Sequence, residues 1–315
     1  MISTAVILAA GRGSRLQPIT RTRSKGLAPV VGMPLIARIV AVLRAVGITR
    51  FHVVIAPHDD ELRQYFATDT EVNIHVQEQP LGSGDALRCC RGYVTGAFLV
   101  CACDSLIAAS DIQPLLNAAS AGMMVAAIME VSPEVSLQAR SVVALQGDRI
   151  ADIIEKPLAS ERVSNITSLP LYVLHDEIFK ELDTVPRSKR GEYELPEAIR
   201  SFIHKGGVVT SSRVAAREDI TTLDDLLALN LKLLAKLEPS IQISEPASIP
   251  PSVSIVPPVC IDAGVSIGDG ATLGPSVYLE SGSVVDAGVR LARVVVTRGG
   301  RATHDAHDEI VVPAK

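Results

Sequence analysis

The sequence predicts an α/β domain built on a mostly parallel, doubly wound sheet, followed by a short parallel solenoid. Three observations carry this. Apolar strand-like runs alternate with helix-like stretches from Ile2 to about Val131, a leucine-rich helix follows at Thr222 to Leu237, and from Ile243 an apolar residue returns at every sixth position. Strands alternating with helices imply parallel pairing with helices on both faces. A period of six implies coils that cover one another. The 315 residues allow one large or two modest domains, and 47% hydrophobic content is ample for a core. The expected divisions are a first domain over 1–237, which includes the connecting helix 222–237, a solenoid over 238–300 and a tail over 301–315.

In chain order, Val6 to Ala9 are apolar without alternation, as in a strand buried on both faces of a parallel sheet. Gly11 and Gly13 then let the backbone approach a ligand closely, with N–H groups free to face phosphate oxygens. Arg12, Arg15, Arg21, Arg23 and Lys25 follow with no acid among them, a loop suited to polyphosphate. Strands at Phe51 to Ala56, Val72 to Val76 and Ala97 to Cys103 alternate with helices at Leu35 to Val46, Asp60 to Phe66 and Ala86 to Tyr93. In such sheets ligands bind at the carboxyl ends of the strands, which brings forward the loops after Ala10, Val76 and Cys103. Beyond Val131 the order becomes mixed, with hairpin strands at Ser141 to Leu145 and Arg149 to Ile154 around Gly147-Asp148.

Composition excludes several classes. The net charge of −5 makes the N-terminal arginines a local patch on a mildly acidic chain, against nucleic acid as the main partner. No apolar run reaches the roughly 18 residues that span a bilayer, and Met1 leads straight into a strand without a signal-peptide pattern, so the expected setting is the cytoplasm, away from membranes. Five cysteines lack the spacing of a disulfide framework; Cys101 and Cys103 form a C-x-C pair inside an apolar strand and are read as buried free thiols.

The phosphate loop lacks the third glycine of a dinucleotide fingerprint and the G-K-[ST] of a Walker A loop. Its pattern is G-x-G-x-R-L-x-P-x-T, then Lys25, Pro29 and the G-x-P of Gly32 to Pro34, which closely resembles the signature of sugar-1-phosphate nucleotidyltransferases, with a Rossmann-like catalytic domain. The resemblance implies that Leu8, Ala10, Gly11 and Gly13 line the nucleotide, and that Arg15 and Lys25 serve catalysis. Gln77 to Ala86 looks like the family's Q-x-x-x-L-G-T-x-x-A base loop with Ser83 for threonine, implying that Gln77, Gly82 and Ser83 meet a uracil or thymine; a glutamine amide offers a donor and an acceptor to a pyrimidine imide. Asp104, at the end of an apolar strand, matches the family's Mg²⁺ aspartate, with Cys103 in place of glycine. Ile154 to Pro157 looks like the family's E-K-P, implying that Glu155 holds sugar hydroxyls and Lys156 the sugar phosphate. Arg190 to Ile199 reads as the opening of a helix. Glu218 to Leu226 resembles W-x-D-I-G-T-P-E-D-L without its tryptophan and glycine and places Asp219 as the second Mg²⁺ carboxylate; an N-capping role is the other reading of that aspartate.

The sugar side departs from the family. N-[AT]-G is replaced by Ser168-Leu169-Pro170, and the glycine expected before E-K-P is Ser141, so Ser141 and Ser168 are the candidates at the sugar phosphate. Pro170 removes a backbone N–H and fixes φ. The second substrate is then either an unusual sugar or a cyclitol phosphate, or the protein is a silent binder of nucleotide sugars.

The sixfold series runs Ile243, Ile249, Ile255, Ile261, Ile267, Leu273, Leu279, Val285, Leu291, three coils of a left-handed β-helix like the tails of long-form relatives. Val277, Tyr278, Leu279, Val284 and Val285 make faces too apolar for a solenoid exterior, which predicts an interface and a homo-oligomer. Three coils are few for a second, acyl-transferring site, and His304 and His307 lie beyond the repeat.

Overall fold

The computed structural model describes residues 2–119, 123–137, 140–158, 160 and 162–314. The chain forms two compact units, Met1–Arg12 with Ile39–Arg217 and Gly13–Arg38 with Glu218–Lys315. The boundary falls between Arg12 and Gly13, inside the glycine motif.

The first unit holds a nine-stranded sheet. Its strands are β1 (Thr4–Leu8), β2 (Arg50–Ile55), β3 (Val72–Val76), β4 (Ala97–Ala102), β5 (Met124–Glu130), β6 (Ser141–Gln146), β7 (Arg149–Glu155), β8 (Ile166–His175) and β9 (Val209–Arg213), in the order β3-β2-β1-β4-β8-β5-β9-β7-β6. From β3 to β4 the pairing is parallel throughout, with β1 between β2 and β4, so the chain reverses its direction of travel at β1. Beyond β4 the expectation of a mostly parallel sheet fails: only β9 and β5 pair in parallel there. β8 runs antiparallel to both β4 and β5, and β6 and β7 form a hairpin. Parallel neighbours need a crossover, usually a helix, and the segments joining β6 to β7 and β7 to β8 hold no α-helix among the described residues.

The helices are α1 (Leu35–Ala45), α2 (Asp60–Tyr65), α3 (Ser83–Arg88), α4 (Ala109–Ala119), α5 (Ile178–Thr184), α6 (Leu195–His204) and α7 (Leu223–Leu234). α3 starts three residues earlier than the apolar pattern suggests because Gly82, at φ +100°, turns the chain directly into it. No helix among the described residues is long and apolar enough to cross a membrane. Four of the cysteines are buried and Cys89 half-buried, and none of the five is in a disulfide; burial pushes the thiols of Cys90 and Cys260 up to about 12, which keeps them protonated.

In the second unit, α7 is opened by a capping box: Thr222 Oγ1 accepts from the Asp225 N–H at 3.2 Å and the Asp225 carboxylate accepts from the Thr222 N–H at 2.8 Å. Asp219 is therefore not this helix's cap. After α7 the strands pair in parallel at a spacing of eighteen, three times the sequence period: Val259 faces Val277, Ile255 faces Leu273, and Ile267 faces Val285. The spacing tightens to seventeen where Val277 faces Val294, and pairing continues past residue 300, with Ala306–Val311 against Arg290–Val296. Ile261, Ile267, Leu273, Leu279, Val285 and Leu291 are buried, whereas Ile243 at the start of the series is exposed.

The apolar outer face is not open as the sequence suggested. Tyr278 is buried at 1% exposure in a cluster with Val31, Leu234, Cys260 and Val295, whereas Val277, Leu279 and Val285 belong to a separate interior cluster with Ile261, Leu273 and Leu291, and Val284 is half-buried. What covers Tyr278 is the chain's own α7 and the hairpin Pro29–Val30 to Met33–Pro34. The two turn residues of that hairpin, Val31 at φ +36° and Gly32 at φ +77°, are both left-handed, as a two-residue loop of this hand requires. A β-branched residue is a poor choice there, and its neighbours compensate. Asn230 of α7, fully buried, accepts from the Val31 N–H at 2.9 Å and donates to the carbonyls of Pro29 at 3.1 Å and Leu226 at 2.8 Å. Arg38 donates to the carbonyls of Val30 and Val31 at 2.8 and 2.5 Å. Asn230→Leu keeps the branching of the side chain but strands a buried donor and acceptor, each worth about 1–3 kcal/mol when unpaired; the expected outcome is a urea midpoint lowered by at least a loss of that size with an unchanged slope.

Candidate active site

The predicted residues divide between the units. In the first, Leu8 closes β1 beside β4, where it pairs with Ala102 and its carbonyl accepts from the Cys103 N–H at 3.1 Å. Ala10 and Gly11 and, across the strand pair, Asp104 therefore emerge together at the carboxyl end of the sheet, at the point where strand order reverses, which is where open α/β sheets bind ligands. A Cβ added at Gly11 would have open space around it, so nothing in the fold accounts for the glycine. Asp104 is half-buried in the turn between β4 and the short strand Ser105–Ile107.

The base loop is stitched to a distant segment. Gly82 sits at φ +100°, and a Cβ there would come within 2.7 Å of the Tyr193 carbonyl, so only glycine fits. The Gly84 N–H donates to the Tyr193 carbonyl at 2.8 Å, the Tyr193 N–H to the Leu81 carbonyl at 2.7 Å, and Ser83 Oγ accepts from the Leu195 N–H at 3.0 Å. Gln77 is buried, and its amide nitrogen donates to the Gly82 carbonyl at 3.0 Å and to Asp85 Oδ2 at 2.8 Å. Both amide hydrogens are thus engaged within the loop; the paired donor and acceptor expected of Gln77 is reduced to its acceptor, Oε1.

The candidates at the sugar phosphate meet on one stretch of the sheet. Ser141 faces Glu155 across β6 and β7 and faces Ser168 across β6 and β8, and its hydroxyl donates to the Glu155 carboxylate. Ser168 Oγ donates to the Tyr172 hydroxyl at 3.2 Å, and burial raises that phenol's pKa. The strand bulges between Ser168 and Tyr172, where Pro170 cannot donate to a ladder. Lys156, which follows directly, has φ +48°, an uncommon conformation for a side chain with a Cβ. Its Nζ lies 3.2 Å from Glu155 Oε1 and 3.7 Å from Glu194 Oε1, and Glu194 also pairs with Arg190 at 2.8 Å. Burial raises the Glu194 pKa against the opposing pull of Lys156. Sequence reasoning missed Glu194, reading its segment only as a helix opening. The i, i+4 spacing of Arg190 and Glu194 was the available signal.

In the second unit, Gly13, Arg15 and Lys25 belong to one loop closed on itself. Gly13 is left-handed at φ +60°, a Cβ there would meet Thr20 at 2.9 Å and Lys25 Cβ at 3.2 Å, and Thr20 Oγ1 donates to the Gly13 carbonyl at 2.7 Å. Leu16 and Ile19 are buried and anchor the loop, Arg15 and Arg21 are exposed, and Lys25 is buried at 8% exposure. The loop is less uniformly cationic than its sequence reads, since Arg23 pairs with Glu280, 257 positions away, at 2.5 Å. Asp219 is half-buried at the end of the short strand Arg217–Asp219.

Residues 4–236 match the family described as Nucleotidyl transferase. Among curated proteins, the chain is 29% identical over 234 residues to the bifunctional protein GlmU of Methanococcus maripaludis, covering 74% of this chain and 55% of that protein. It is 28% identical over 235 residues to the low-salt glycan biosynthesis nucleotidyltransferase Agl11 of Haloferax volcanii, covering 73% and 65%. It thus spans only about half the length of the GlmU proteins it matches. A UDP-glucose pyrophosphorylase solved with UDP-glucose shares the fold, with TM-score 0.68 and 23% identity over 75% of this chain and all of that one. With three quarters of its length matched, loop motif and sheet included, this chain belongs to the nucleotidyl transferase family.

Proposed function

We propose that this protein joins a nucleoside triphosphate, UTP or dTTP, to a sugar 1-phosphate or a cyclitol phosphate, releasing pyrophosphate and forming a nucleotide-activated sugar. The observation that carries this reading is Lys156. A lysine in a sparsely populated backbone conformation, set between Glu155 and Glu194 and beside Ser141, is the kind of strain that folds retain at functional sites. In the proposed reaction the sugar phosphate attacks the α-phosphorus in line and pyrophosphate leaves. The nucleophile is already an anion at neutral pH, so no general base is needed and catalysis reduces to alignment and charge neutralisation.

Lys156 holds the attacking phosphate, Glu155 with Ser141 and Ser168 receives hydroxyl groups of the second substrate, and Arg15 and Lys25 neutralise the triphosphate. Leu8, Ala10, Gly11 and Gly13 line the nucleotide. Gln77 Oε1 accepts from the imide N–H of the base, which suits uracil or thymine, and Gly82 and Ser83 keep the loop close to it. Asp104 and Asp219 are the candidates for holding Mg²⁺. Among the described residues no three His, Cys, Asp or Glu side chains are grouped to cage an ion. A half-buried carboxylate, as each of these is, suits a hard cation that completes its shell with phosphate oxygens and water. When bound, Mg²⁺ supplies charge neutralisation on those phosphates.

The parallel strands after α7 we read as a left-handed β-helix that brings copies together. In support, Ile241–Ile243 is an end strand paired on one side only, and Ile241 and Ile243 are exposed on it. The reaction belongs in the cytoplasm, where nucleoside triphosphates are made.

A pyrophosphate-release screen across the common triphosphates and a panel of sugar and cyclitol phosphates tests the reaction. Release is expected with UTP or dTTP, and a nucleotide sugar that binds without any release marks a silent binder instead. With the productive pair, Lys25→Ala is expected to lower turnover roughly 10²–10³-fold, as for loss of one charge-assisted transition-state contact; unchanged turnover removes the assignment. Titration with Mg²⁺ and each triphosphate reports the base, and tight binding of GTP alone rejects a pyrimidine. Sedimentation at micromolar concentration is expected to show an oligomer, and a monomer there ends that reading.

A further inference from the structure

The loop that carries Arg15 and Lys25 and the strands that carry Asp262 and Glu280 belong to the same compact unit. Asp262 and Glu280 are eighteen residues apart, each directly following a paired position, Ile261 opposite Leu279, so they stand one above the other at the same corner of successive coils. Glu280 reaches the N-terminal segment directly and Asp262 reaches it only through Tyr278. Asp262 accepts from the Tyr278 hydroxyl at 2.8 Å, and the same phenol oxygen receives the Gly32 N–H. Glu280 takes the Arg23 guanidinium at 2.5 Å with one oxygen and the Arg298 N–H at 2.7 Å with the other. The Arg23 and Glu280 side chains are 5% and 14% exposed. A pair this dry is costly to break, because the survivor is left as a buried charge, so it is more than a surface tether.

We infer that Glu280 is a positioning residue for the triphosphate: through Arg23 it fixes the backbone of the loop that presents Arg15 and Lys25. This rests on the reading of that loop given above. Arg23 lies two residues before Lys25, and its guanidinium also reaches the Leu27 carbonyl at 3.5 Å, so it spans the turn Lys25–Leu27 that sets the lysine. The opposite end of the loop is held by Gly13 against Thr20. Without the Glu280 carboxylate, the buried Arg23 guanidinium keeps only its reach to the Leu27 carbonyl.

The test uses the full chain and Glu280→Gln, which keeps an acceptor for the Arg298 N–H while removing the charge. Amide hydrogen exchange over residues 13–27 is expected to quicken with the rest of the chain unchanged. Where the wild type turns over, KM for the triphosphate is expected to rise roughly 10–100-fold, the range seen when outer-shell partners of a site are removed, with kcat within a few-fold. Arg23→Met is expected to do the same, and the double variant to be no worse than Arg23→Met alone, since the two act as one unit. Unchanged exchange over 13–27 with unchanged KM overturns the inference, as does an additive double variant. A wild type that releases no pyrophosphate with any pair counts against the proposed reaction; the exchange measurement and calorimetric triphosphate affinity then decide on Glu280 independently.

Discussion

Asn230 is a single buried amide on which the order of the N-terminal segment depends. It takes one donor and one acceptor of the Pro29–Pro34 hairpin and returns its other hydrogen to its own helix. The hairpin needs this because its turn places a valine where asparagine or glycine is favoured, and because a turn buried in an apolar cluster cannot leave polar backbone unpaired. Val31 gains by burial among Leu234, Tyr278 and Val295 what its backbone loses in strain. Arg38 takes the carbonyls of Val30 and Val31, and the Tyr278 oxygen takes the Gly32 N–H. The consequence is that a hairpin near the start of the chain takes its shape from a residue 199 positions beyond its turn.

The first unit shows the complementary design, in which the sheet itself sets the site. Parallel strands β1 and β4 end together and leave Leu8, Ala10 and Asp104 at the switch in strand order. The antiparallel half does something different, bringing Ser141, Glu155 and Ser168 side by side through strand register alone. Pro170 fits this half because the bulge it occupies has no ladder bond to lose. Ser141 is engaged with Glu155 and Ser168 with Tyr172, so both hydroxyls are held within the sheet.

Much of this was legible in the sequence, and the limits have physical causes. The buried strands β1 and β4, the β6–β7 hairpin, the leucine helix and the sixfold period follow from local patterning. The antiparallel placement of β8 was not legible, since strand direction is decided by what connects the strands, not by the strands' own residues. Nor was the use of Gln77's donors: Asp85 lies in the same motif, yet only the helix that opens at Ser83 turns its carboxylate back onto the amide. Glu194 was hidden because it acts on Lys156, 38 positions earlier, through the fold.

The apolar outer face of the strands after α7 shows the same limit in sharper form. Period and alternation separate inward from outward positions, and Tyr278 is outward by that rule. An outward apolar residue demands a cover, and in a chain read alone the cover can be a second copy, a membrane or a distant part of the same chain. Here it is the third: leucines of α7 and the valine of a hairpin near the N-terminus close over Tyr278 and Val295. The Tyr278 hydroxyl decides between these possibilities. A phenol buried in an apolar contact needs partners, and it has both, the Asp262 carboxylate and the Gly32 N–H of the hairpin. A face that already satisfies its polar atom within its own chain is finished, and the large apolar residues this unit leaves exposed lie elsewhere, among them Met33, Ile241, Ile243 and Val256.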